Sequence, residues 1–194
     1  MRAVHRTIEV PLEPLTADSF SPFGRLIEPL PCDPQAERDA FHMVALPFTV
    51  DSTPDLRIAH YPVQDMCFAK FERHLTMTET RIALGQAVVL IVAADTPLDD
   101  RHTLPDAGSV RALLMKGNKG IIFRRGTWHG LDCYPVNGQP ADFAFLTERE
   151  AEDELLEVSD TGALHRSHIV DFAESRGVVF RVSDPLGLLP SVRR

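Results

Sequence analysis

The chain has 194 residues, 44% of them hydrophobic and 25% charged, with a formal net charge of -8. That is enough for one domain with a well-buried core in an ordinary globular composition. An acidic surface repels phosphate backbones and argues against a nucleic-acid partner, and the longest apolar run, Ala87 to Ala94, falls far short of the roughly 20 residues that span a bilayer. The N-terminal stretch MRAVHRTIEVPLEPL has charge but no apolar centre of a secretory signal, so a cytoplasmic location without a membrane partner is expected. Three cysteines, Cys32, Cys67 and Cys133, form no C-x-x-C pair. Ordinary thiols are expected rather than a disulfide framework or a thiolate zinc site.

Fifteen prolines and eleven glycines cut the chain into short pieces, which favours strands over long helices. Thr7 to Leu12 alternates like a strand. In LTADSFSPFG, Thr16 is placed to cap a short helix that Pro22 limits and Gly24 ends. Arg25 to Leu30 is a second extended piece, and residues 31–40 form a polar, proline-bearing loop. Further strands are expected at Leu56–Tyr61, Cys67–Arg73, Ala87–Ala93, Val110–Met115, Gly120–Phe123 and Phe143–Thr147. The continuous β-branched VVLIV predicts a strand buried on both faces. Gly117 to Gly120 predicts a hairpin turn rather than a phosphate cradle. Thr147 to Glu150 has capping-box form and opens an acidic helix whose charges form a solvated face. Two more strands, HIVDF and GVVFRV, fall in residues 159–194, a C-terminal appendage to a 1–158 domain that packs on the barrel or on a partner subunit. Short strands at this spacing predict a mainly-β sandwich or barrel with short helices.

The chemistry is concentrated in two stretches. In FERHLTMTETRIALG, Glu72 and His74 are two apart in a strand and share a face, and Glu79 follows after a short connection. In GIIFRRGTWHG, His129 lies three residues past Gly126, beyond a turn. Imidazoles and carboxylates on neighbouring strands can converge on one divalent ion, and such a set suits nickel, iron, manganese or zinc. A histidine beside an apolar strand is by default a core or surface residue, which is how His5, His42, His60, His102, His165 and His168 are read; a strand glutamate by default faces solvent. There is no G-x-S-x-G elbow, no P-loop and no G-x-G-x-x-G fingerprint.

The spacing His74-x4-Glu79-x5-Gly85 with Gly126-x2-His129 resembles the two motifs of the cupin family, with Glu72 standing where the first histidine is usual and Arg124 where proline is frequent. This resemblance implies a cupin-like β-barrel (a double-stranded β-helix) and a ligand set of Glu72, His74, Glu79 and His129. Three segments together resemble the narrower ureidoglycolate lyase family over residues 7–150: EPLTADSFSPFGRLIE, FERHLTMTETRIALGQAVVLIVA and GNKGIIFRRGTWHG. Glu79 stands where that family often has glutamine, Gly130 where a second histidine often follows, and the tail after residue 158 is longer than usual.

The family resemblance implies a homodimeric carbon–nitrogen lyase. It would split ureidoglycolate, a small carboxylate, into glyoxylate and urea late in purine and allantoin breakdown, with a divalent metal, nickel in some descriptions. Glu72, His74, His129 and Arg124 are then the expected catalytic residues. Glu72 completes the metal shell or acts as base, and an arginine among Arg73, Arg81, Arg124 and Arg125 clamps the carboxylate. Arg73 ranks lower because it should face away from Glu72 and His74. The competing readings are a metal-dependent isomerase, decarboxylase or lyase acting on another hydroxy or sugar acid, and a cupin that binds a small ligand without turning it over.

Overall fold

A computed structural model describes residues 5–30, 43–161 and 164–189. The loop expected at 31–40, with Cys32 and His42, lies outside the described residues. The strands are β1 (Arg6–Pro14), β2 (Gly24–Ile27), β3 (Pro54–Tyr61), β4 (Cys67–Phe68), β5 (Lys70–His74), β6 (Thr80–Ala83), β7 (Val88–Ala93), β8 (Arg111–Met115), β9 (Gly120–Phe123), β10 (Trp128–Gly130), β11 (Tyr134–Pro135), β12 (Ala141–Glu148), β13 (Ser167–Asp171) and β14 (Val178–Ser183). Among the described residues three α-helices interrupt them, α1 (Ala17–Phe20), α2 (Arg149–Thr161) and α3 (Phe172–Arg176), with a 3-10 turn at Ala107–Ser109. The fold is mainly β with short helices, as expected.

The strands form two sheets. A nine-stranded sheet runs β13-β5-β10-β7-β8-β1-β14-β4, with β11 also paired to β7; a five-stranded sheet runs β2-β9-β6-β12-β3. Between them lies a core that draws Leu90, Val92 and Leu113 from the first sheet and Ile121, Phe123 and Phe143 from the second. The alternate residues of β7, Val89, Ile91 and Ala93, enter a second core with Phe71, Trp128, Phe172 and Phe180. All six residues of β7 are therefore buried, the outcome a continuous apolar run predicts. Burial of each such side chain contributes about 1.5–3 kcal/mol.

Several local expectations change in the structure. Thr16 caps α1, and its reciprocal partner is Ser19. Gly24 does not end that helix but opens β2. A Cβ there would stand 1.8 Å from the Ile122 carbonyl oxygen, so glycine permits the close approach of β2 to β9. Gly117 to Gly120 is a turn, with Lys119 N–H donating to the Lys116 carbonyl at 3.1 Å. It is not a hairpin, because β8 and β9 belong to different sheets.

The Thr147 capping box is not formed. Thr147 remains in β12, and Glu150 instead accepts from the Thr53 hydroxyl and N–H at 2.8 and 3.1 Å. The last strands join the large sheet: β13 pairs antiparallel with β5, and β14 pairs parallel with β1. Between them α3, capped by Asp171 and closed by Gly177 at φ 62°, seats Phe172 in the core.

Candidate active site

The inner face of β5 presents Glu72 and His74, the consequence of their two-residue spacing on a strand. His129 joins them because β10 pairs His129 with Glu72 on one side and with Val92 on the other. The approach to β10 is set by Gly126, at φ 82°, whose N–H donates to the His74 carbonyl at 2.8 Å. Glu79 and Arg81 come from the facing sheet. They are two residues apart at the start of β6 and share the inner side. All five residues are buried.

The contacts are close and of mixed charge. Arg81 Nε and Nη2 donate to the two oxygens of Glu79 at 2.7 and 3.2 Å, and Nη2 also lies 3.5 Å from Glu72 Oε1 and 3.2 Å from His129 Nδ1. His74 Nε2 and His129 Nε2 approach Glu79 Oε2 at 3.3 and 3.4 Å. The second distance is within ion-pair range, yet among the described residues His129 Nε2 has no hydrogen-bond partner, because hydrogen bonding requires direction as well as distance, and it is an orphaned buried nitrogen. The His129 ring stacks on Phe123 at 4.6 Å.

These surroundings set the protonation states. Burial pushes the Glu72 carboxyl up to about 7, against the opposing charges of His74 and Arg81. Burial pulls in the same direction on Glu79 but is outweighed by Arg81 and His74, so that carboxylate is held well below its usual range. Burial and the Arg81 charge hold His129 well below the ordinary histidine value. For His74, burial lowers the value, but the hydrogen bond and charge of Glu79 prevail and raise it. Arg81 is the fixed cation of the site: burial opposes its charge, and Glu79 more than restores it.

Glu72, Glu79 and Arg81 open onto a cavity of about 290 Å³, also walled by Tyr61, Leu131 and Phe145. This is the size of a small-metabolite pocket. Glu72, His74 and His129 offer one ligand atom each within 4.8 Å of one another. Two imidazoles and a carboxylate, one imidazole nitrogen being orphaned, fit a divalent cation of the nickel, iron, manganese or zinc kind.

Among the expected site residues, Glu72, His74, Glu79 and His129 are brought together. Glu79 is not in the three-residue ligand group; its carboxylate is engaged by Arg81. Arg124 stands apart, with a side chain 52% exposed that meets the Pro22 carbonyl and Asp95. Arg125 pairs with Asp51 at 2.7 Å. Arg73 faces away, as its alternation requires, and donates to the carbonyls of Thr96, Pro97 and Asp100 at 2.9, 3.0 and 2.8 Å. The arginine in the site is Arg81, one of four candidates by proximity along the chain, and the Glu79-x-Arg81 alternation is the signal that could have singled it out. Tyr61 and Ser167 had no such signal. Of the remaining histidines, His60 forms an exposed pair with Asp142 at 2.7 Å.

A sequence model of the ureidoglycolate lyase family matches residues 7–165. A ureidoglycolate lyase of Pseudomonas fluorescens (strain Pf0-1) is 36% identical over 129 residues, covering 61% of this chain and 72% of the relative. One of Pseudomonas aeruginosa (strain LESB58) is 30% identical over 132 residues, covering 64% and 74%. Among solved structures, the formate complex of Lactobacillus farciminis oxalate decarboxylase aligns with 66% of this chain and 30% of its own, at 6% identity and a TM-score of 0.36. With the family model spanning both motif-bearing stretches and the strands that carry them, the chain belongs to the ureidoglycolate lyase family.

Proposed function

We propose that this protein is a lyase that cleaves ureidoglycolate to glyoxylate and urea, a late step of allantoin and purine breakdown. The observation that carries the reading is the buried Glu72–His74–Glu79–Arg81–His129 cluster, of which Glu72, Glu79 and Arg81 line a small cavity, within the region that matches the family.

The substrate carbon carries a hydroxyl, a ureido nitrogen and a carboxylate. In the reaction the carbon–nitrogen bond breaks and its electron pair stays on nitrogen, which takes a proton. The hydroxyl loses a proton as the carbonyl forms. Arg81 is the cation that meets the substrate carboxylate, in place of the exposed Arg124, because its guanidinium lines the cavity. Glu72 lines the same wall, and with its carboxyl pushed up to about 7 it can take the hydroxyl proton and return one to the departing nitrogen at neutral pH. Glu79 holds Arg81 and His74 in place.

A divalent ion at this site would be held by Glu72, His74 and His129, with Glu79 adjacent. When bound it would neutralise the substrate carboxylate and acidify its hydroxyl. In that state Glu72 is a ligand rather than the base. Homodimerisation is supported by the outward face of the edge strand β3, where Leu56 and Ile58 are 69% and 65% exposed and Ile58 lies in register with Ala144 and Ile82. A cytoplasmic location is the reading that accompanies this metabolic role. Among the described residues no helix is long and apolar enough to cross a membrane.

The test is glyoxylate release from racemic ureidoglycolate by purified protein, with and without chelator. Release that falls on chelation and returns with nickel or manganese supports lyase and metal together. Release indifferent to chelator retains the lyase and makes Glu72 the base. A folded protein that releases none sinks the assignment.

A further inference from the structure

Ser167 lies beyond the segment that matches the family, which ends at residue 165. It nevertheless reaches the site. Strand β13 pairs with β5 so that Ser167 stands directly opposite His74, and directly opposed residues of antiparallel strands project to the same face. The Ser167 hydroxyl lies 3.0 Å from His74 Nδ1, with Ser167 0% and His74 4% exposed. Among the described residues His74 is its hydrogen-bond partner, so the hydroxyl has no competing acceptor to satisfy.

The position of Ser167 is fixed from several directions. Leu75 N–H donates to the Arg166 carbonyl at 2.7 Å. Arg101 donates to the carbonyls of Leu164 and Ser167 at 2.7 and 3.1 Å. The Arg166 guanidinium meets the buried carboxylate of Glu148. The segment that follows α2 is thus held to both β5 and β12.

An imidazole offers one nitrogen to a site when the other is held. Here Nδ1 is engaged by Ser167 and Nε2 points at Glu79. A hydroxyl both donates and accepts, so it holds the ring whether or not Nδ1 carries a proton, whereas a carboxylate would favour the imidazolium.

We propose that Ser167 is a positioning residue of the active site, contributed by the C-terminal strand, which orients the His74 ring so that Nε2 faces the cluster. The consequence for catalysis rests on the lyase reading; the orientation of His74 does not.

The experiment compares full-length wild type, Ser167→Ala and the near-isosteric Ser167→Cys. Cysteine keeps the volume, weakens the hydrogen bond and serves should the alanine variant fail to fold. Nitrogen NMR of histidine-labelled, chelator-treated protein reads the His74 ring, with its signals assigned from a His74→Gln sample. Kinetics of glyoxylate release give kcat and KM separately. Loss of the Ser167 hydrogen bond should shift the His74 ring nitrogens and lower kcat by about 10–100-fold, as loss of such supporting partners does, with KM within about twofold. His74 signals identical to wild type in the alanine variant overturn the proposal. So do shifted signals with unchanged kcat. A wild type that releases no glyoxylate overturns the lyase reading instead, and the NMR comparison alone then decides whether Ser167 orients His74.

Discussion

Replacement of Arg81 by methionine in chelator-treated protein tests the electrostatic logic of the site without reference to turnover. Arg81 is 2% exposed, donates to both oxygens of Glu79 at 2.7 and 3.2 Å, and lies 4.8 Å over the Phe145 ring. Methionine fills much of the same volume but leaves Glu79, 1% exposed, without its cation and with Glu72 close by. Breaking a buried pair from one side costs about 3–5 kcal/mol, because the remaining charge is desolvated and uncompensated. For a chain of this size that is a fall of roughly 6–20 °C in thermal midpoint. The double variant Arg81→Met/Glu79→Gln removes both charges and should recover at least about half of the loss, since a missing pair is far less costly than half of one. Thermal and urea unfolding of the four proteins, at low and high salt, complete the cycle. The penalty should persist in salt, because buried charges are weakly screened. A single variant that loses less than about 1 kcal/mol, or a double variant as unstable as the two losses summed, would refute the argument.

Four further outcomes follow from the structure. The Glu72 carboxyl is raised above its unfolded value, so its contribution to stability is fully present below the ordinary carboxyl range and is lost as pH rises through about 7. Glu72→Gln should therefore stabilise chelator-treated protein above neutrality and not in acid, and pH-resolved unfolding midpoints that fail to diverge contradict this. His129→Ala should remain folded by circular dichroism while glyoxylate release falls at least about a hundredfold; the exposed Arg124, which meets the Pro22 carbonyl and lies 3.7 Å from Asp95, should tolerate alanine with activity within about twofold and less than about 1 kcal/mol of stability lost. Gly24→Ala places a methyl 1.8 Å from the Ile122 carbonyl oxygen and should cost about 1–3 kcal/mol by forcing β2 from β9, whereas an unchanged unfolding midpoint would show that the strands separate freely.

Much of this protein was legible from local pattern. Alternation at Thr7–Leu12 and the apolar run through β7 mark strands because side-chain period and burial are properties of the segment itself. The same period put Glu72 and His74 on one face and sent Arg73 to the other. The Gly126-x2-His129 spacing is local too, since one glycine at φ 82° sets the turn into β10. The strands β10 and β11 escaped notice because three and two residues carry too little periodicity to register.

What only the tertiary structure decided is which distant groups meet. Thr147 and Glu150 had the spacing of a helix cap, but pairing of β12 with β3 kept Thr147 extended and turned Glu150 toward Thr53. Arg124 stands beside the second motif along the chain, yet the facing sheets buried Arg81 between Glu79 and Glu72 and left Arg124 in solvent. Ser167 is 93 residues from the histidine it touches. Backbone pairing of β13 with β5 makes that contact, and a register formed between segments so far apart depends on the rest of the sheet, which no window of sequence contains.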